Sequence, residues 1–313
     1  MLSLLQFLAR LPLPILRSIA LLFAWLINLM PQTGMRWVVR VNLLMSMPTL
    51  RETERLALER ASVRSQCLTA LESIKCWGMP SSYSISQIKD IHGLAQLQQA
   101  LADPRGMIAV VPHLGTWEMM NAWLNQFGSP VIMYKPADQP QLNQFMLDAR
   151  QRLNATLVPT DERGVRAIFK TLKQGGFTIL LPDHVPETSG GVMADFFAVE
   201  CLTSTLVSKL AQKTGCRVIG LSCLRRDDLS GFDVYCDPFD PQVADKDLSI
   251  AVAALNQNMQ QMIQRAPAQY LWSYRRFKVA TDLHGLYRWD EAKVRQVATA
   301  LPKTEKHQQH TLS

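Results

Sequence analysis

Three rhythms of hydrophobic and polar positions follow one another along the chain. Residues 1–30 are strongly apolar, interrupted by Arg10, Pro12, Pro14 and Arg17. The uninterrupted core from Ser18 to Met30 is shorter than the ~20 residues a full membrane span needs. Counted from Leu11 it reaches that length, with Arg17 near enough to the end to snorkel. The following Pro31-Gln-Thr-Gly34 lacks a small-x-small cleavage site, which disfavours a signal peptide. One membrane helix and an interfacial anchor remain, and the pattern favours the helix over either an anchor or a buried core helix. Arginines on both sides (Arg10, Arg17, Arg36, Arg40) leave its orientation open.

The second rhythm is helical. Residues 50–77 read as one long amphipathic helix, capped by Thr49 or Thr53 and ended by Gly78 and Pro80. A further helix is expected over 86–102, before the turn Asp103-Pro-Arg-Gly106. From there strands and helices alternate. Strands are expected at 107–112, 130–134, 156–158, 177–182, 217–224 and 232–236, and helices at 115–126, 139–153, 165–174, 203–213 and 248–265. This alternation predicts an α/β fold with a mixed central sheet flanked by helices, behind an N-terminal membrane-anchoring helix. Asp227-Asp-Leu-Ser-Gly231 predicts a hairpin, so the last two strands should be antiparallel. The long connection 183–201 carries Ser189-Gly-Gly191 and Phe196-Phe197 and reads as a flexible flap with an apolar face. The expected division is an anchor over 1–34, a catalytic domain over 35–302 and a polar, disordered tail over 303–313.

Composition narrows the setting. A 48% hydrophobic content is ample for a core, and the net charge of +7 suits anionic lipid, phosphorylated substrates or an acidic protein partner. No zinc-finger spacing, Lys/Arg-dense arm or aromatic RNA-binding signature is present, which places nucleic acid well below membrane as a partner. The six cysteines form no C-x-x-C pair, so neither a zinc site nor a redox motif is indicated, and scattered thiols fit a reducing compartment.

Candidate chemistry begins where the strand 107–112 stops. His113 and Glu118 form a His-x4-Glu spacing at a strand-to-helix corner, at the mouth of a sheet where chemistry is commonly placed. On a continuous helix the two side chains would point about 140° apart. The pair therefore requires His113 to precede the first turn, which Pro112 and Gly115 permit. Glu118 would then hold one ring nitrogen and leave the other as a general base. The bland alternative is a capping His and a solvated Glu. A basic group follows: Lys135, Arg150, Arg152, Arg163, Arg166 and Lys170, either a solvated face or a wall for phosphate or carboxylate. Leu180-Leu-Pro-Asp183-His184 ends another strand in a carboxylate, which either holds a basic residue or substrate or starts a loop. No ligand spacing supports a metal at His113, Asp183 and His184. A G-x-S-x-G elbow is absent, which argues against a serine nucleophile.

Several ordered motifs resemble the bacterial late acyltransferases of lipid A biosynthesis, of the lauroyl/myristoyl type. They are Val111-Pro-His113-Leu-Gly-Thr-Trp-Glu118, Tyr134-Lys-Pro136, Asp148-Ala-Arg-Gln-Arg152, Leu180-Leu-Pro-Asp183, the block from Gly191-Val192 to Phe196-Phe197, Thr203-Ser-Thr205 and Tyr270-Leu-Trp-Ser-Tyr-Arg-Arg-Phe-Lys278. The resemblance covers most of the chain after residue 35. It implies a glycerolipid-acyltransferase-like fold in an inner-membrane enzyme with its catalytic domain facing the cytoplasm. The enzyme would move an acyl chain from an acyl carrier protein thioester to a hydroxyl of a lipid A precursor, with no metal or tightly bound cofactor. His113 would be the base, Glu118 its orienting acid and Arg150 an active-site arginine. Lys135, Arg152, Asp183, Thr205, Arg275 and Arg276 would contact substrate. Oxyanion donors are expected from backbone amides near Gly115 or from Arg150. Three positions depart from the family pattern: Lys135 stands for Arg, His184 for Gln and Tyr274 for His. They leave open another acceptor (a glycerophospholipid, ornithine lipid or glycolipid) or, as a further class, thioester hydrolysis.

Overall fold

The computed structural model describes residues 2–301, so the tail lies outside the described residues. In chain order the helices are α1 (Leu2–Arg10), α2 (Leu13–Leu29), α3 (Gly34–Ser46), α4 (Glu52–Gly78), α5 (Ser81–Gln87), α6 (Leu94–Leu101), α7 (Trp117–Leu124), α8 (Pro140–Gln151), α9 (Glu162–Lys173), α10 (Leu206–Thr214), α11 (Leu248–Arg265) and α12 (Glu291–Ala300). The strands are β1 (Ile88–His92), β2 (Met107–Val110), β3 (Val131–Tyr134), β4 (Thr156–Pro159), β5 (Phe177–Leu180), β6 (Gly191–Phe196), β7 (Val199–Ser204), β8 (Arg217–Arg225) and β9 (Phe232–Pro238).

Seven strands make one sheet in the order β1-β9-β8-β2-β5-β3-β4, and β6 and β7 form a separate hairpin. Within the large sheet all pairings are parallel except β8 with β9, so the mixed α/β architecture and the antiparallel last pair stand as expected. β2 lies at the centre because every residue of Met107–Val110 is buried. Such a strand needs cover on both faces. Ile108 and Val110 enter one hydrophobic cluster with Leu210 and Met259, while Met107 and Ala109 enter the other with Leu97 and Met119.

The structure replaces three local expectations. Residues 88–92 are a strand beside β9 rather than part of a helix, and the helix starts only at Leu94 behind Gly93, whose φ of +76° breaks the run. The expected flap is the β6–β7 hairpin. Its inward positions Ala194, Phe196 and Val199 are buried, and Phe196 lies beneath the Arg276 guanidinium. The apolar N-terminus is two helices bent by 118°, and no single helix among the described residues is long and apolar enough to cross a membrane. Proline at Pro12 and Pro14 accounts for the break. One face of α2 (Leu16, Arg17, Ala20, Ala24) is buried against α4. Arg17 does not snorkel. Its Nε donates to Glu72 at 2.8 Å, and both side chains are buried.

Candidate active site

The parallel register of β2 and β5 sets the geometry of the site. Val110 pairs with Leu180, and each strand then runs apolar residue, Pro, polar residue: Val111-Pro-His113 beside Leu181-Pro-Asp183. Three residues beyond paired positions, His113 and Asp183 leave the same edge of the sheet together. Val111 N–H still donates to the Leu180 carbonyl at 2.9 Å, which carries the alignment past the end of the ladder. Asp183 accepts from the His113 backbone N–H at 2.9 Å and lies 2.9 Å from its Nδ1. Burial pushes the Asp183 carboxyl up, but the charge and hydrogen bonds of His113 outweigh it and hold it well below the usual carboxylate range. Tyr270, fully buried beside this carboxylate, has its hydroxyl pushed up by burial and by the Asp183 charge.

The carboxylate on His113 is therefore Asp183, where the spacing pointed to Glu118. Helix α7 starts at Trp117, so Glu118 falls in its first turn and faces another partner. Arg150 donates to Glu118 Oε1 at 3.2 Å, and its guanidinium also lies 4.9 Å from the centre of the Tyr134 ring. Between His113 and the helix the backbone is tied down. Leu114 bridges Tyr270 and Gly115 bridges Cys223. Gly115 has a φ of +67°, and a Cβ there would lie 2.0 Å from the Cys223 carbonyl oxygen. The Gly115 and Thr116 amides donate to the carbonyls of Gln269 and Cys223. They are thus spent on the fold and are not oxyanion donors.

His113, Glu118 and Arg150 all line one cavity of about 690 Å³, within the range of small-molecule sites. Its walls are largely apolar, with Met120, Ile132, Ile179, Leu180 and Val207 among them, and Lys135 and His184 are also there. No hydrogen-bond partner meets His113 Nε2 among the described residues. Trp117 sets its ring edge-on to the imidazole, with centroids 5.0 Å apart.

The other expected contacts lie elsewhere. Arg152 is exposed and donates to the Trp77 carbonyl. Thr205 is buried and donates to the Gly190 carbonyl at 3.1 Å. Arg276 is 2% exposed and bonds Leu202 O and Thr203 Oγ1, which makes it part of the core. Arg275 is exposed, 5.7 Å over the Tyr287 ring. Arg163 and Arg166 pair with Asp161 and Glu162 on the surface. Sequence reading named His184 beside His113 only as an unsupported metal ligand, and His184 and Tyr274 as departures from the family pattern. It missed their stacking, with the His184 ring parallel to that of His113 at 4.0 Å and the Tyr274 ring behind it at 3.9 Å.

The family model for bacterial lipid A biosynthesis acyltransferases matches residues 1–279. A lipid A biosynthesis acyltransferase of Haemophilus influenzae is 29% identical over 276 residues, covering 87% of each chain. A lipid A biosynthesis palmitoleoyltransferase of Escherichia coli K12 is 27% identical over 242 residues, covering 77% of this chain and 78% of that one. A phosphatidylinositol mannoside acyltransferase of Mycobacterium tuberculosis is 30% identical over 149 residues, covering 46% of this chain and 47% of that one.

Proposed function

Since this chain belongs to the bacterial lipid A biosynthesis acyltransferase family, we propose that it transfers a fatty acyl group from an acyl carrier protein thioester to a hydroxyl of a lipid A precursor. The observation that carries the reading is His113 at the cavity wall, with Nδ1 against the buried Asp183 and Nε2 without a partner among the described residues. That arrangement fixes the tautomer with the proton on Nδ1 and leaves Nε2 to accept one. His113 takes the proton of the acceptor hydroxyl as its oxygen attacks the thioester carbonyl. The C–O bond forms, the C–S bond breaks, and the imidazolium returns the proton to the departing thiolate. Asp183 stabilises the imidazolium while it exists. Arg150, held by Glu118, is a cationic group on the cavity wall available to developing negative charge. The apolar wall takes the acyl chain, and Lys135 the anionic part of a substrate.

The reaction belongs at a membrane, on the cytoplasmic side of the inner membrane where carrier and precursor meet. The exposed face of α1 and α2 supports this: Phe7, Leu22, Phe23, Trp25, Leu26 and Leu29 are all more than 40% exposed. Apolar patches of this kind mark interaction surfaces, and helices lying in the interface plane bury such a face in lipid. A glycolipid acceptor is the second reading, favoured by the similarity to the mannoside acyltransferase.

The test is transfer in vitro from a defined acyl carrier protein thioester to a purified lipid A precursor, with products weighed by mass spectrometry. His113→Ala and Asp183→Asn should each lower the rate by about 10²- to 10⁴-fold, the usual worth of general acid–base catalysis. Full activity in folded His113→Ala sinks the mechanism. Free fatty acid in place of acylated lipid marks a hydrolase, and acylation of a mannolipid alone moves the acceptor.

A further inference from the structure

Three consecutive residues after β5 all engage the same column of rings. Asp183 holds the Nδ1 edge of His113. The His184 ring lies on the face of the His113 ring, 4.0 Å away and within 2° of parallel. Val185 donates its backbone N–H to the Tyr274 hydroxyl at 3.0 Å, and the Tyr274 ring covers the other face of His184 at 3.9 Å and 16°. Lys278 closes the column, its Nζ 5.4 Å from the centre of the Tyr274 ring.

One hydrogen bond fixes an edge of an imidazole but leaves the ring free to tilt about it. Something else must set its plane, because proton transfer needs Nε2 within hydrogen-bond reach of one point in the cavity. No hydrogen bond holds the His184 ring among the described residues, and its Nε2 is buried without a partner. His184 is therefore placed by its two faces, and a side chain placed that way acts through the rings it touches. We infer that His184 and Tyr274 are positioning residues for the transfer reaction, stacked so as to hold the plane of the His113 ring and to set an uncharged π-face against the imidazolium that forms on it. The inference rests on the reading of His113 as the base.

The charges around the stack agree with this role. Burial and then the neighbouring His113 push His184 down to about 4, with Lys278 and Arg276 adding to the effect and Asp183 opposing it. His184 thus stays neutral while His113 works, and two like charges never face each other across the stack. A neutral ring beside a cation is attractive through its π-system.

The experiment measures kcat and the donor KM for His184→Ala and His184→Phe in the full chain. A lost face should lower kcat by about 10- to 100-fold, the scale of a small misplacement at a reacting centre, with KM little changed. Phenylalanine, which keeps the face and cannot titrate, should restore most of kcat. Tyr274→Leu and Tyr274→Phe repeat the comparison from the ring behind, which does not line the cavity, and cover the case in which His184→Ala fails to fold. Wild-type kcat in His184→Ala, or His184→Phe as impaired as His184→Ala, overturns the inference. His113→Ala separates the two readings. If it is inactive while His184→Ala is unimpaired, only the stack fails; if it stays active, there is no base to position and both fail.

Discussion

Glu118 and Arg150 form a charged pair on the cavity wall, and each depends on the other for its form. Glu118 is 6% exposed and Arg150 is also largely covered, so removing one strands the other's charge in a poorly solvated place. Alanine at either position should lower kcat/KM by about 10- to 100-fold, and the double variant should be scarcely worse than the poorer single one. That corresponds to a coupling of about 1–3 kcal/mol. Strictly additive losses in the double-mutant cycle show that the two act separately. The sequence made His113 legible, because an apolar strand ending in Pro-His is a local pattern. Its partner was not legible from the spacing to Glu118, since chain distance says nothing about a helix that starts only at Trp117. The better signal was the repeat of apolar, Pro, polar in Val111-Pro-His113 and Leu181-Pro-Asp183, which becomes geometry once β2 and β5 are known to be parallel neighbours. Two departures from the family pattern, His184 and Tyr274, fall against each other in the structure, a contact between positions 90 apart that no local reading could supply.

Among the elements, α2 carries two faces with separate jobs. Leu16, Ala20 and Ala24 recur every four residues and lie buried against α4, the small side chains of Ala20 and Ala24 allowing close approach. Arg17 stands beside them and reaches Glu72, a carboxylate that also accepts from Arg225 at 2.6 Å and from the Thr116 hydroxyl at 3.0 Å. Thr116 precedes α7, so this buried hub links the N-terminal helix to the loop that carries His113. The opposite face is exposed and apolar. Arg17→Ala should therefore lower stability by about 1.5–3 kcal/mol, the worth of a charged hydrogen bond, read by urea unfolding, with vesicle binding retained. Phe23→Glu combined with Leu26→Glu should do the reverse, releasing the protein from anionic vesicles in a flotation assay at unchanged stability. Loss of binding in the first variant, or of stability in the second, contradicts the division of faces. Mean hydropathy registers both faces alike, which is why the segment reads as a span until α4 is placed against it. The β6–β7 hairpin was hidden differently. Its glycines and paired phenylalanines suggest a loop, although Ala194 and Phe196 alternate inward as strand residues do.

For the whole molecule, folding is linked to pH through His184 and Asp183 of the site and through paired carboxylates outside it. His184 is held at about 4 in the folded protein against an ordinary 6.5, so between those values the unfolded chain binds the extra proton and the folded one does not. Stability then rises with pH through that window and falls on acidification. The difference between 6.5 and about 4 corresponds to roughly 3–4 kcal/mol. Carboxylates act lower down. Burial pushes Glu52 up, but its bonds to Arg40 and Arg295 outweigh this and bring it to about 2 from 4.5. Its contribution is full above 4.5 and disappears as pH falls towards 2. Asp183 behaves in the same sense below the ordinary carboxylate range. Thermal unfolding of the wild type should accordingly lose stability in two stages, from pH 6.5 to 4 and again below 4.5. His184→Phe should flatten the first stage and leave the second. A midpoint that still falls between pH 6.5 and 4 in that variant would place the proton uptake on another group and remove the neutral His184 from the account of the site.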